Sequence, residues 1–230
     1  MPDLKNLYSQ MWLNSIDKFH NNNCEIDDLI HDQSDMRRGI TVLSYLDNSV
    51  SENITNFLNE LQVIEPEQYY YPRSELHLTI LSVISCFVGF KLSSINVEDY
   101  SAIFQETMLD FEPFTINFKG ITVSSSCILI QGFPESEQLN HLRDSLRANF
   151  NGSKLKTTID SRYKLSTAHI TAVRFRAPFK NNHQLMAVLS KFRNYDFGTL
   201  EIKSLDLVFN NWYQNLSITK SLSSANLKTR

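Results

Sequence analysis

Two copies of the triplet histidine–aliphatic–threonine are the residues of this sequence best placed to do chemistry. One runs from His77 to Thr79 and the other from His169 to Thr171. Two imidazoles with pKa values near neutrality can serve one reaction as acid and base, because one carries a proton while the other does not. Two threonine hydroxyls can donate hydrogen bonds to the non-bridging oxygens of a phosphate. This set of groups suits cleavage of a phosphodiester without a metal ion.

Each triplet lies in a run whose composition predicts a β-strand, residues 75–83 and residues 168–175. Side chains of a strand point alternately to its two faces, so the histidine and the threonine of one triplet project together. The aliphatic residue between them then faces the opposite, buried side. We therefore expect each triplet to present one imidazole and one hydroxyl from the same face of a strand.

The elements around the two triplets follow the same order in both halves of the chain, which indicates an internal duplication. Each half reads as strand, helix, strand with the triplet, helix and further strand, and such a fold can bring the triplets together across a cleft. In the first half the strands are residues 40–46, 75–83 and 114–123, and the helices are residues 52–63 and 100–109. In the second half the strands are residues 127–133, 168–175 and, as two short pieces, 200–209, and the helices are residues 135–150 and 183–192, with residues 212–218 ending the series.

The first 38 residues lie outside this repeat. Apolar residues recur at helical spacing from Leu4 to Phe19, which predicts an amphipathic helix packed on the main fold. We therefore expect an N-terminal helical extension, residues 1–38, followed by a single domain of two interleaved lobes, residues 39–230.

The composition is that of an ordinary globular protein, with 42% hydrophobic and 20% charged residues. The net charge of −3 excludes a general nucleic-acid coat, which would be basic. The three cysteines, Cys24, Cys86 and Cys127, are an odd number without Cys-x-x-Cys spacing, which favours reduced thiols over a disulfide framework or a zinc site. The sequence carries no signal-peptide pattern and no apolar run of the length that spans a bilayer. These observations predict a cytoplasmic protein, and we expect a monomer.

The runs SELHLTILSV and TAHITAVRF resemble the paired signatures of the two-histidine phosphoesterase superfamily, which includes LigT-like RNA 2′,3′-cyclic phosphodiesterases. The resemblance covers about residues 39–218 through the order of the elements. It implies an α+β fold with two lobes, in which two antiparallel sheets flank a central cleft and the helices lie outside. It also implies hydrolysis of a cyclic phosphate or related phosphodiester on a nucleotide or RNA end, with no metal and no cofactor.

By motif position the resemblance makes His77 and His169 the acid–base pair and Thr79 and Thr171 the donors to phosphate. It does not say which histidine is the acid. Members of the family often continue after the first motif with an aromatic residue and glycine, whereas this chain continues with Ser-Val-Ile at residues 82–84. That departure leaves the substrate subclass open.

Four further residues are candidates for substrate binding. Residues 154–180 are locally basic, and Lys164 and Arg174 could attract a phosphate, although the same bias is also typical of a solvated face. Strict alternation places Arg174 on the face opposite His169, so it reaches the cleft only if the strand twists or bulges. Tyr71 and Arg73 share the parity of the first histidine, and Tyr71 could stack on a base, with strand packing as the alternative.

Other functions remain open at this point. A metal site would need a third ligand, for which Glu75 is the nearest carboxylate on the same face, but no ligand spacing supports it. The chain could be a non-catalytic nucleotide-binding module of the same fold. It could also be a scaffold that binds partners through its N-terminal helix.

Overall fold

The computed structural model describes residues 3–228 and contains two antiparallel sheets with helices packed outside them. The helices are α1 (Leu4–His20), α2 (Asn48–Ile64), α3 (Val97–Met108), α4 (Gln138–Gly152) and α5 (Asn182–Phe192). The strands are β1 (Arg37–Tyr45), β2 (Tyr69–Tyr70), β3 (His77–Val88), β4 (Phe114–Val123), β5 (Cys127–Pro134), β6 (Ile170–Arg174), β7 (Asp196–Ile202), β8 (Ser204–Asn211) and β9 (Lys220–Asn226).

The first sheet has the strand order β3-β1-β8-β9, and the second has the order β2-β6-β5-β4-β7. Strands from both halves of the sequence therefore meet in each sheet. Helices α3 and α2 pack on β9 and β7, at the outer strands of the two sheets. The predicted α+β class, with two lobes, antiparallel sheets and helices outside, is confirmed.

The N-terminal helix packs on the second sheet through one apolar face. Asp3 caps α1 by accepting a hydrogen bond from the Asn6 N–H at 3.0 Å, which satisfies one of the free donors at the helix start. Tyr8 and Phe19 on its apolar stripe are fully buried, and the helix contacts β4 of the second sheet. The stripe is thus part of the core, as expected for a helix that covers an apolar sheet face. Within residues 3–228, no helix has the length and apolar character needed to cross a membrane.

Several element boundaries differ from those predicted. A 3-10 turn at Arg73–Glu75 delays the start of β3 to His77, and the strand then continues to Val88. The sixth strand begins only at Ile170, so His169 lies immediately before it. The final strand, β9, was not predicted, because its sequence KSLSSAN is rich in serine and lacks alternating apolar residues. It forms the edge of the first sheet next to β8.

Candidate active site

A cleft between the two sheets brings the two triplets together. His77 and Thr79 reach it from β3 of the first sheet, and His169 and Thr171 reach it from the start of β6 in the second. The cleft has a volume of about 170 Å³, which is large enough for a small charged group and the atoms next to it. Its other walls include Thr41, Tyr71, Ser82, Ser85, Cys86, Asp160, Arg162, Tyr163, Leu165, Arg174, Asn210, Trp212 and Gln214.

Two bulges in β3 change which of its side chains face the cleft. Consecutive residues Val42 and Leu43 of β1 pair with Leu81 and Thr79, which leaves Ile80 of β3 without a partner on β1. In the same way, Ile40 and Thr41 pair with Ile84 and Ser82, which leaves Val83 as an extra residue. The partly exposed positions therefore recur every third residue, and a row of hydroxyl side chains lines the cleft: Thr79, Ser82 and Ser85. Leu81 also lines the cleft, whereas Val83, which strict alternation would have placed there, does not.

His77 is held in one tautomer by its main-chain partner. Nδ1–H donates to the carbonyl oxygen of Glu75 at 2.7 Å, so Nε2 is the nitrogen left for chemistry. The side chain is 9% exposed. Burial lowers the pKa of His77 to about 4, against an ordinary value of 6.5, while the hydrogen bond to Glu75 raises it and the charge of Arg174 lowers it further.

His169 is placed by contacts on both sides of it. Its Nδ1 lies 2.6 Å from the hydroxyl of Thr167. The preceding N–H, that of Ala168, donates to the hydroxyl of Tyr8 from α1 at 3.2 Å. The main chain of Ala168 also passes close to Gly132 on β5. Only glycine fits there, because a Cβ at residue 132 would lie 1.9 Å from the carbonyl oxygen of Ala168. Helix α1 therefore helps to position the second motif.

The pKa of His169 is also lowered to about 4, first by burial and then by the positive charges of Arg143, His77 and Arg174. The expectation of two histidines with near-neutral pKa values is therefore wrong for the empty cleft. Desolvation disfavours the charged imidazole, and neighbouring cations add to that effect. Both histidines are neutral at pH 7 until a negative group enters.

Arg174 does reach the cleft, because β6 is bulged. Thr171 pairs with Leu129 and Val173 pairs with Ile128, which leaves Ala172 as an extra residue between them. The bulge reverses the parity of the strand, and Arg174 comes to the same side as Thr171. Its Nε donates to the hydroxyl of Tyr71 at 2.9 Å.

The structure places the other predicted binding residues differently. Tyr71 lies in the cleft wall, where its ring packs edge-on to that of His77 at 6.4 Å between centroids, so it is a buried packing residue with one polar atom. Arg73 lies in the 3-10 turn and bonds to Ser51 and to Asn48 on α2, so the structure does not bring it into the lining of the cleft.

Two further residues considered in the sequence, Lys164 and Glu75, do not line the cleft. Lys164 is exposed and lies outside the lining of the cleft, whereas its neighbours Tyr163 and Leu165 line it, and its role in binding stays a prediction. The Glu75 carboxylate accepts hydrogen bonds from the N–H of Leu216 at 2.9 Å and from the Asn215 amide at 3.2 Å. Within residues 3–228 no group of three His, Cys, Asp or Glu side chains is arranged to hold a metal ion.

Trp212 was missed by sequence reasoning. It follows β8 and lines the cleft, and three guanidinium groups lie near its ring, Arg162 at 4.6 Å, Arg37 at 5.2 Å and Arg174 at 5.9 Å. An aromatic face beside cations suits a flat, negatively charged ligand. The only signal in the sequence was the scarcity of tryptophan, with two in the chain.

Residues 50–211 match the 2′-5′ RNA ligase superfamily, which is more than half of the chain. The chain belongs to the 2′-5′ RNA ligase superfamily. The resemblance to the two-histidine phosphoesterase superfamily is thereby confirmed, and membership supports a phosphodiesterase type of activity. The sequence has no significant match among curated proteins.

Solved structures of this superfamily's fold are similar over most of the chain. TT0787 of Thermus thermophilus superposes with a TM-score of 0.62 at 16% identity, covering 82% of this chain and 97% of its own. E. coli LigT complexed with 3′-AMP gives a TM-score of 0.56 at 14% identity, covering 84% and 99%. LigT complexed with phosphate gives 0.54 at 13% identity over the same shares. At these identities the similarity establishes the fold alone.

Proposed function

We propose that this protein hydrolyses a cyclic phosphate of the 2′,3′ type, or a related phosphodiester, on a nucleotide or RNA end, without a metal. The observation that carries the proposal is the convergence of His77, Thr79, His169 and Thr171 on one cleft, two from each sheet. Two imidazoles and two hydroxyls around one small volume provide proton transfer and phosphate binding together. A site for binding alone has no need of two titratable rings.

The surroundings of the two histidines favour a division of roles. The carbonyl of Glu75 stabilises the protonated form of His77, which suits a general acid. Arg143 opposes protonation of His169 and is not among the groups that lower the pKa of His77, which suits His169 to the role of general base. The negative charge of a bound phosphate supplies what the empty cleft lacks, because it raises the pKa of the acid.

The reaction then needs only groups of this chain and one water molecule. His169 removes a proton from water, and the water oxygen attacks phosphorus in line. The bond from phosphorus to one ribose oxygen breaks as His77 donates its proton to that oxygen. Thr79, Thr171 and Arg174 bind the equatorial oxygens, where negative charge accumulates.

The rest of the substrate fits the far side of the same cleft. A nucleobase can stack on Trp212. The guanidinium carbon of Arg162 lies 4.6 Å from the centre of the same tryptophan ring. E. coli LigT, which has a similar fold, has been crystallised with 3′-AMP and with ATP, which supports nucleotides as the first ligands to test.

The test is a panel of 2′,3′-cyclic nucleotides and RNA ends with a cyclic phosphate, incubated with the protein in EDTA. We expect one phosphomonoester product, with loss of turnover in His77→Ala and in His169→Ala. The double variant should be scarcely slower than either single variant, because the pair acts as a unit. Restoration of activity only by added metal would contradict the mechanism. Nucleotide binding without any turnover would favour a binding module of the same fold.

A further inference from the structure

Arg143, on α4, is a buried cation whose donors go to main-chain oxygens. Its side chain is 1% exposed. In the part of the chain that the structure describes it forms no ion pair, since Asp144 and Asp160 bind Arg147, one helical turn further on, at 3.0 and 2.7 Å. Burial lowers the pKa of Arg143 to about 10, so the guanidinium remains charged at neutral pH. A buried charge without a carboxylate costs stability and requires a compensating role.

The three oxygens that Arg143 binds lie in the first histidine motif or within two residues of one of the two motifs. Its Nε donates to the carbonyl of Ile80 at 2.9 Å, and its terminal nitrogen donates to the carbonyls of Thr79 at 3.1 Å and Thr167 at 2.9 Å. One planar group therefore joins β3 of the first sheet to the segment before β6 of the second. The fork of a guanidinium can span such a set, whereas the ammonium of a lysine cannot match its geometry.

The main chain is irregular at Ile80 and at Thr167, so their carbonyl oxygens need a hydrogen-bond donor that a neighbouring strand does not supply. Ile80 is the extra residue of a bulge in β3, out of register with β1. Thr167 precedes β6, beyond the last pairing with β5 at Ile170. Buried carbonyls without a partner are costly, and Arg143 supplies the missing donors.

On each strand, Arg143 binds a residue that either carries or contacts a group proposed to act on the substrate. Thr79 carries one of the two hydroxyls, and the Thr167 hydroxyl lies 2.6 Å from Nδ1 of His169. A shift of Arg143 would therefore move a phosphate donor and a histidine at the same time. The groups whose positive charge lowers the pKa of His169 are Arg143, Arg174 and, when it is protonated, His77.

We propose that Arg143 is a positioning residue that sets the separation of the two motif strands and the orientation of His169. The inference rests on the proposed function for its kinetic part only. Misplacement of reacting groups lowers the rate more than it weakens substrate binding, because the groups must be aligned in the transition state.

The test compares Arg143→Met and Arg143→Lys with the wild type and with a control, Arg193→Met. Arg193 also donates to a main-chain oxygen, that of Ile121 at 2.6 Å, but it packs on Trp12 away from the cleft. Three quantities are measured for each protein: the melting temperature, the imidazole pKa values from NMR titration, and kcat and KM on a 2′,3′-cyclic nucleotide.

For Arg143→Met we expect kcat to fall about 10- to 100-fold with a smaller change in KM, and the pKa of His169 to rise. For Arg143→Lys the charge remains, so the pKa should stay low while kcat falls. The control should lose thermal stability without either change. Wild-type kcat and wild-type histidine pKa values in a folded Arg143→Met would overturn the proposal.

If Arg143→Met does not fold, Arg143→Lys decides: reduced kcat at a near-normal melting temperature supports the positioning role, and wild-type kcat overturns it. If the wild type hydrolyses no cyclic phosphate, the proposed function fails, but the NMR titration still tests this inference. Altered imidazole resonances of both His77 and His169 in Arg143→Lys then support the link between the motifs, and unaltered resonances refute it.

Discussion

Nδ1 of His77 lies 2.7 Å from the main-chain oxygen of Glu75, an acceptor that cannot donate a proton in return. The imidazole must therefore keep its Nδ1 proton in both charge states, and only Nε2 can exchange protons with a substrate. The partner of His169, the Thr167 hydroxyl, can either donate or accept. The two histidines thus enter the reaction with different constraints.

The pH dependence of kcat/KM should differ from that of kcat. Both pKa values lie at about 4 in the empty cleft, so the fraction of free enzyme with a protonated His77 falls as pH rises above that value. Bound phosphate raises the pKa of His77, so the bell-shaped profile of kcat should be centred at higher pH than that of kcat/KM. Initial rates at low and saturating substrate across the pH range test this. Coincident optima would show that the substrate does not shift the titration.

Removing either threonine hydroxyl should slow turnover. Thr79→Val and Thr171→Val keep the side-chain shape but delete a donor to phosphate, and each should lower kcat by about 10- to 1,000-fold. Thr199→Val, on the exposed β7 where the hydroxyl bonds to Asn117, is the matched control and should retain wild-type kcat. Equal rates in all three variants would reduce both threonines to strand packing.

Stability should fall as the solution is acidified from about pH 6.5 towards about pH 4. Above that window the histidines are neutral in folded and unfolded chains alike. Within it, the unfolded chain takes up protons, whereas the buried His77 and the half-buried His169, with pKa values of about 4, stay neutral in the folded protein. Urea unfolding of the wild type and of the doubly substituted His77→Gln, His169→Gln protein should show a shallower pH dependence in the variant. Parallel curves would mean that the rings titrate normally.

Loss of the Tyr8 hydroxyl should affect both stability and catalysis. In Tyr8→Phe the buried N–H of Ala168 loses its acceptor, which costs about 1–3 kcal/mol, and His169 next to it loses part of its support. The Tyr8 hydroxyl also bonds to the main chain of Gly132. Tyr100→Phe is the control, because it removes the hydroxyl of another buried ring, which donates to the carbonyl of Lys156. Thermal unfolding and kcat should both fall in the first variant, and thermal stability alone in the second.

Trp212→Ala should weaken nucleotides selectively. Base stacking on an aromatic ring contributes about 1–3 kcal/mol, so KM for a 2′,3′-cyclic nucleotide should rise by about 5- to 100-fold. Hydrolysis of a small cyclic phosphate without a base, such as glycerol cyclic phosphate, should be unaffected. A parallel loss on both substrates would indicate that Trp212 supports the cleft wall instead.

The order of the strands and helices was predictable because apolar periodicity determines which face of each element is buried. The pairing of His77 with His169 followed from repetition of that order. The alternation of apolar and polar residues could not predict the bulges at Ile80, Val83 and Ala172. These bulges depend on the pairing register with β1 and β5. These bulges explain why Ser82 lines the cleft in place of Val83, and Arg174 in place of Val173.

The burial of Arg143 could not be predicted from the sequence either, because an arginine on an amphipathic helix is normally solvated. Its burial depends on carbonyl oxygens freed by irregular main chain in segments distant in sequence. Arg73 shows the converse case, since a 3-10 turn ended the parity that predicted its place beside the cleft.

The interleaved sheet order also limits how the chain can be divided. β4 of the first half is an interior strand of the second sheet, and β8 of the second half is an interior strand of the first. Neither half can complete a sheet alone, so a cut near residue 125 leaves two fragments with exposed interior strand edges. Fragment complementation would then restore the cleft only when both halves assemble. Activity would report on that assembly and would not survive in either half.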